Sequence, residues 1–173
     1  MSKIVTPITV QVITFNTTVP VKEVVARLEA ELDKAGSADT IQKILNSKSH
    51  EEWLSIVNNK AEGQDFQYFS EFPTSKILKY VDPEGTDKAG LVIYYFGNPS
   101  VANFIMKYNP LAAYSIPPRL LIVERPEGTT VTYHLPSSVM AAPGQENDPT
   151  LVTGLASLDA RLEKLAKKIT AVR

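Results

Sequence analysis

The 173-residue chain contains no cysteine. This absence excludes disulfide scaffolding, thiolate metal sites and thiol nucleophiles together. A sequence without cysteine fits a reducing compartment, so we expect a cytoplasmic protein. A chain of this length can build one hydrophobic core without disulfides or a structural metal, and we therefore expect a single domain over residues 1–173.

An excess of either charge is also missing. The sequence has 18 basic and 19 acidic residues, which leaves a formal net charge of -1. A sequence-independent hold on the phosphate backbone of nucleic acids requires a concentrated basic face. The charge balance therefore predicts that nucleic acid is not a partner.

Long hydrophobic runs are absent as well. No stretch approaches the roughly 20 apolar residues of a membrane-spanning helix. Residues 1–12 carry one lysine and alternate polar with apolar side chains, whereas a signal peptide has a continuous apolar core. We expect neither a membrane span nor a signal peptide, and no membrane partner.

The sequence also lacks recognisable catalytic and ligand-binding motifs. The sequence shows no catalytic triad, phosphate-binding loop or nucleic-acid signature. The two histidines, His50 and His134, stand far apart, and the carboxylates lack the spacing of metal ligands. The residues therefore predict no metal, no cofactor and no defined reaction.

What the first half does contain is strand and helix periodicity. Residues 8–15 alternate in the pattern of a strand, with Ile8, Val10 and Val12 on one face. Pro20 then opens a helix that runs to about Asp33, with apolar residues at helical spacing.

The segment after that helix is predicted to form two short helices. Gly36 and Ser37 should end the helix, and two short helices, Asp39–Leu45 and Glu51–Asn59, should follow. Together these helices cover residues 39–59.

Four strands are predicted in the middle and second half of the chain. Phe66–Phe72 alternates and is rich in aromatics, and Leu91–Phe96 is an unbroken apolar run typical of an interior strand. Leu120–Arg125 and Thr129–Leu135 should form a hairpin around Pro126-Glu127-Gly128, where the glycine is free to adopt the conformation that closes the turn.

The remaining segments are an excursion and two helices. Residues 73–88 should be irregular and should place apolar side chains against the core, namely Ile77, Leu78, Tyr80 and Val81. A helix is predicted over Ser100–Tyr108, with Tyr108 turned inward, and Asn109-Pro110 should end it. An amphipathic helix over 149–172 should present an apolar seam to the domain's own sheet, formed by Leu151, Leu155, Leu158, Leu162, Leu165 and Ile169. The alternative is a coiled coil between two copies of the chain, for which five intervals are short.

This order of elements predicts an α+β fold. The chain should form a mostly antiparallel sheet of about five strands, with helices packed on one face, in the order β-α-(α-α)-β-β-α-β-β-α.

A group of local motifs resembles a known family. The motifs are Phe96-Gly97-Asn98-Pro99, the helix end Met106–Pro110, the stretch Ile116–Glu124 and the strand Val131–Ser138. Over about Phe66 to Ile169 the chain resembles the bacterial and fungal proteins of domain of unknown function 302. The resemblance implies an α+β sheet fold that is commonly dimeric and has no established reaction or ligand.

Two positions depart from the pattern of that family. Many relatives carry a histidine where this chain has Pro73-Thr74-Ser75, and some carry a cysteine at the position of Pro118. Relative to shorter bacterial members, residues 39–59 resemble an insertion. Chemistry that depends on the missing histidine or thiol is not implied for this chain.

His134 and Tyr133 are the candidate acid and base, because histidine exchanges protons near neutral pH. No hydroxyl or carboxylate partners His134 at a telling spacing, and a strand histidine is more often structural. Arg119 enters a strand and suits either a structural ion pair or an anionic ligand.

Asn98 and Asn109 flank one helix and could offer amides to a ligand, although helix capping and chain termination explain both. His50 lies in the capping box Ser49–Glu52 and should face solvent without a role. Seven aromatics could line an apolar pocket or simply form the core: Phe66, Tyr68, Phe69, Phe72, Tyr94, Tyr95 and Phe96.

Three hypotheses of different class remain open. The first is a non-catalytic domain that binds a small apolar or anionic molecule between the sheet and the helix Ser100–Tyr108, acting as a homodimer. The second is an enzyme that uses His134 and Tyr133 near Arg119. The third is a purely structural, self-associating protein.

Overall fold

The computed structural model describes residues 1–58, 64–78 and 90–172. Five strands form one antiparallel sheet in the order β1-β5-β4-β3-β2. They are β1 (Val12–Thr17), β2 (Gln67–Phe72), β3 (Leu91–Gly97), β4 (Arg119–Arg125) and β5 (Gly128–His134). The α+β class and the order of the main elements are as predicted.

The helices are α1 (Val21–Glu31), α2 (Lys34–Ser37), α3 (Thr40–Asn46), α4 (His50–Asn58), α5 (Thr74–Leu78), α6 (Pro99–Tyr108), α7 (Pro136–Met140) and α8 (Pro149–Thr170). A 3-10 turn, Pro110–Ser115, follows α6. The sequence did not predict α2, α5, α7 or this turn. The segment predicted as irregular over 73–88 contains α5, where Ile77 is exposed rather than packed on the core. Residues 79–89, with Tyr80 and Val81, and the side chain of Leu78 lie outside what the structure describes.

The core lies between one face of the sheet and helices α1, α6 and α8. Strand residues supply the sheet side, and the buried apolar and aromatic ones are Tyr68, Tyr94, Phe96, Leu120, Ile122, Val131 and Tyr133. All six residues of the predicted α8 seam are buried against this face, which confirms that the seam packs within the domain. Asp148 caps α8 by accepting a hydrogen bond from the Thr150 amide at 2.7 Å.

The start of β1 differs from its prediction. The strand covers Val12–Thr17 instead of 8–15, and Ile13 and Phe15 pack against the core while Val12 is exposed. Ile8 is 55% exposed and precedes the strand. Tyr108, predicted to turn inward, is also exposed. Its ring is tilted against that of Phe104, with the two centroids 5.2 Å apart.

A network of charges joins α1 and α2 to the sheet. The Lys34 ammonium donates hydrogen bonds to Glu29 Oε1 and Glu71 Oε2, each at 2.7 Å, and the Tyr94 hydroxyl donates to Glu29 Oε1 at 2.7 Å. Partial burial alone would favour the protonated acid, but the hydrogen bonds from Lys34 and Tyr94 lower the pKa of Glu29. Burial of the Tyr94 ring and the nearby carboxylates raise the pKa of Tyr94. The side chain of Tyr68 lies beside the same ammonium, 5.3 Å from ring centroid to Nζ.

Candidate functional site

A cleft of about 660 Å³ opens between the helical segment α3–α4, the helix α6 and the edge of the sheet at β2 and β3. Its walls are mostly apolar and aromatic. The lining residues fall into three groups: Ile41, Ile44, His50 and Trp53 from α3 and α4; Phe69, Ser70 and Tyr95 from the sheet; and Pro99, Ala102, Asn103, Met106, Ile116 and Pro117 from α6 and the segment before β4.

Local hydrogen bonds position the α4 wall of the cleft. The Ser49 hydroxyl accepts from the Glu52 amide at 3.1 Å, and the Glu52 carboxylate accepts from the Lys48 amide at 2.8 Å. This is a capping box in which the glutamate accepts from the amide one residue before the N-cap Ser49 rather than from the amide of Ser49 itself. His50 and Trp53 are one turn apart, so their rings share a helix face and stack with centroids 6.0 Å apart.

Asn98 positions the α6 wall. Its side-chain oxygen accepts from the Ser100 amide at 3.1 Å and the Val101 amide at 3.4 Å, while its amide nitrogen donates to the Asp65 carbonyl at 3.3 Å. Asn98 lines a cavity of about 20 Å³ beside the cleft rather than the cleft itself. Its hydrogen bonds therefore fix the start of α6, whose next turns carry the lining residues Ala102 and Asn103.

Asn109 at the other end of α6 is buried. Its side-chain nitrogen donates to the Met140 carbonyl at 2.8 Å, and its oxygen accepts from the Leu111 amide at 3.2 Å. Both polar atoms of Asn109 thus connect the 3-10 turn to α7, and neither lies in the cleft lining.

The other three predicted site residues meet at a second pocket. Arg119, Tyr133 and His134 line a depression of about 220 Å³ at one end of β3, β4 and β5, together with Ile93, Ser115, Pro118, Leu121, Thr132, Val139 and Met140. Arg119 and His134 are exposed, while Tyr133 is buried.

Tyr133 and His134 are consecutive in β5, so their side chains project to opposite faces of the sheet. The Tyr133 hydroxyl is buried without a hydrogen-bond partner among the residues that the structure describes. Burial, with the carboxylates of Glu163 and Asp159 adding to the effect, raises the pKa of Tyr133 to about 12. The structure does not bring the Tyr133 hydroxyl and the His134 imidazole to one reacting centre.

Comparison with known proteins places the chain in a family. A family model described as domain of unknown function DUF302 matches residues 41–169, more than half of the chain. The chain belongs to the DUF302 family. A search of curated proteins found no match.

A DUF302 structure supports the fold. The crystal structure of an uncharacterized conserved protein DUF302 from Bacillus stearothermophilus is similar to this one with a TM-score of 0.60 and 20% sequence identity. The similarity covers 91% of this chain and 97% of that one. At such low identity the similarity establishes the shared fold alone.

Sequence reasoning missed the α3–α4 side of the cleft in this DUF302 chain. His50 is exposed, as the sequence predicted, and it also lines the cleft beside Trp53. The signal that could have found it is the three-residue spacing of His50 and Trp53 and of Ile41 and Ile44, which puts each pair on one helix face. Of the seven aromatics, Phe69 and Tyr95 line the cleft, while Phe72 is exposed.

Two classes of feature are absent from the described part of this DUF302 chain. Within residues 1–58, 64–78 and 90–172, no group of three or more His, Asp or Glu side chains could hold a metal ion. Across the same residues, no helix is long and apolar enough to cross a membrane.

Proposed function

We propose that the protein binds a small, largely apolar molecule in the cleft between α3–α4, α6 and the sheet. The observation that carries the proposal is the size of the cleft, about 660 Å³, which lies within the range of about 300–1,000 Å³ found for small-molecule sites. Its apolar walls and few polar groups are also typical of such sites.

The lining supports a particular class of ligand. The described lining residues include no Asp, Glu, Lys or Arg, so a ligand with a strong charge would lose hydration without gaining an ionic partner. The stacked rings of His50 and Trp53 favour a flat or aromatic molecule. Ser70 and Asn103 can offer hydrogen bonds to one or two polar atoms. A binding role fits this lining better than a catalytic one.

Filling the cleft should abolish ligand binding. Ala102→Phe adds a ring to the α6 wall, and we expect it to weaken binding of the neutral probe N-phenyl-1-naphthylamine by at least about tenfold, or about 1.4 kcal/mol. Trp53 is the sole tryptophan, so energy transfer from Trp53 reports probe binding, and its loss in Ala102→Phe assigns that binding to the cleft.

The matched control is Ala156→Phe, on an exposed position of α8, which should leave probe binding unchanged. If both variants bind the probe equally well, or if the wild-type protein shows no saturable energy transfer, the cleft is not a ligand site. Circular dichroism melts establish whether Ala102→Phe still folds. If it does not, Met106→Phe serves as the second filling variant and keeps Trp53 as the sole tryptophan.

We also propose that the protein forms a homodimer in the cytoplasm. The cysteine-free sequence supports the compartment. The support for self-association is β1, which is an edge strand of the sheet and carries no charged residue from Val12 to Thr17. Charges, prolines and bulges commonly protect free strand edges from pairing, and a second β1 in antiparallel orientation would meet no like charge.

A lysine on this edge should therefore produce a monomer. Val12 is 56% exposed, so Val12→Lys should leave the fold intact and shift sedimentation velocity from the dimer to the monomer. Val152→Lys on α8, where the wild-type side chain is 53% exposed, is the control and should remain dimeric. A dimer that persists in Val12→Lys would place the interface elsewhere.

A further inference from the structure

The second pocket contains an arginine and a histidine in register. The β4–β5 pairing puts Leu121 opposite Thr132, and continuing that pairing by two residues puts Arg119 opposite His134. Directly opposed residues of an antiparallel pair lie on the same face, with Cβ atoms about 4.5–5.5 Å apart. On the other side of Arg119, Tyr95 of β3 is its direct partner.

Arg119 and His134 have no acidic counterpart in the described structure. No Asp or Glu is among the described residues that line the pocket. Arg119 and His134 form no ion pair or side-chain hydrogen bond with any residue in 1–58, 64–78 or 90–172. The Arg119 guanidinium is a permanent positive charge, and the His134 ring can donate a hydrogen bond, so an anion between the two side chains would supply the acceptor that the described lining lacks.

The remaining walls define the rest of the ligand. Ile93, Leu121, Val139 and Met140 form an apolar floor, while Ser115 and Thr132 add hydroxyl groups. The volume of about 220 Å³ equals that of roughly seven water molecules at about 30 Å³ each. An inorganic oxyanion would leave the apolar floor uncovered, whereas an acid with a short apolar body would cover it.

We propose that this pocket binds a small organic carboxylate, with the carboxylate held by Arg119 and His134 and the apolar body against Leu121 and Val139. A guanidinium matches the two oxygens of a carboxylate in a bidentate geometry. The site goes beyond the apolar cleft and is independent of it, because Arg119 and His134 are absent from the lining of the cleft.

Titration of the full chain with sodium benzoate tests the proposal. Saturable shifts of the Arg119, Thr132 and His134 amide signals in ¹⁵N NMR spectra are expected. Arg119→Gln should weaken benzoate binding by at least about tenfold, as loss of a charge-assisted hydrogen bond does. His134→Gln should weaken it by a smaller factor. Arg125→Gln removes an exposed arginine from the same face of β4, and it should bind benzoate as the wild-type protein does.

Two further probes define the chemistry. Benzamide has the same apolar body without the charge, and inorganic phosphate has charge without the apolar body; both should bind at least about tenfold more weakly than benzoate. Equal losses in Arg119→Gln and Arg125→Gln, or benzamide or phosphate binding as tightly as benzoate, would overturn the proposal. Because Ala102→Phe should leave these shifts unchanged, failure of the cleft proposal and failure of this one are separately visible.

Discussion

Deletion of residues 149–173 should leave a chain without cooperative unfolding. The deletion removes α8, whose six seam residues are all buried. Burial of six such side chains contributes on the order of 9–18 kcal/mol at about 1.5–3 kcal/mol each, which is comparable to the whole net stability of about 5–15 kcal/mol for a domain. Differential scanning calorimetry should show no heat-absorption peak, and the protein should be molten or insoluble.

Two controls separate loss of the helix from loss of the terminus. Deletion of residues 172 and 173 alone should retain the cooperative peak, since Val172 is 71% exposed. Leu162→Ala, at a fully buried position, should cost about 2–5 kcal/mol. A chain without 149–173 that melts near the parent temperature would show that α8 is an appendage.

Gly128→Ala should destabilise the protein by about 3 kcal/mol or more. Gly128 closes the β4–β5 turn with φ +140°, a conformation that L side chains rarely adopt. A Cβ there would overlap the Thr17 carbonyl oxygen and approach the Thr18 Cα at 2.7 Å. Thr17 is the last residue of β1 and pairs with Thr129 of β5, and Thr18 follows it directly, so this backbone cannot move without disturbing that pairing. Urea unfolding curves measure the loss.

Gly144→Ala is the matched control for this variant. Gly144 also has a positive φ, +71°, but the nearest atom to an added Cβ is Thr6 Cγ2 at 3.7 Å. Gly144→Ala should therefore lower the free energy of unfolding by about 1–2 kcal/mol, which is the cost of the backbone conformation alone. Equal destabilisation by both substitutions would mean that the backbone overlap at Gly128 is relieved at no cost.

The sequence predicted correctly those elements that begin or end at a recognisable capping or turn motif. Asp148-Pro149 begins α8 and Pro126-Glu127-Gly128 turns the hairpin, and the structure confirms both. The start of β1 carries no such signal, because residues 4–17 are uncharged and alternate in part. Its bounds are set by its partner β5, which ends at His134, and this tertiary restraint is not visible in the alternating pattern.

The two candidate sites differ in how much of their geometry could be predicted from the sequence. The turn at Pro126-Glu127-Gly128 sets the hairpin register, so counting outward from it places Arg119 opposite His134 without a structure. The cleft draws its walls from three separate segments, α3–α4, β2–β3 and α6. Their relative placement depends on tertiary packing, which neither periodicity nor capping motifs specify.

Lys34 couples the energetics of Glu29 and Glu71, because it forms an ion pair with both. Its single positive charge contacts two carboxylates at 2.7 Å each, and all three side chains are only about one third exposed. Without the lysine, Glu29 and Glu71 would face each other uncompensated, whereas loss of one glutamate leaves a neutral pair. The changes in stability caused by substitutions at these three positions therefore do not add. A neutral residue at position 34 is tolerated best when Glu29 or Glu71 is neutralised in the same variant.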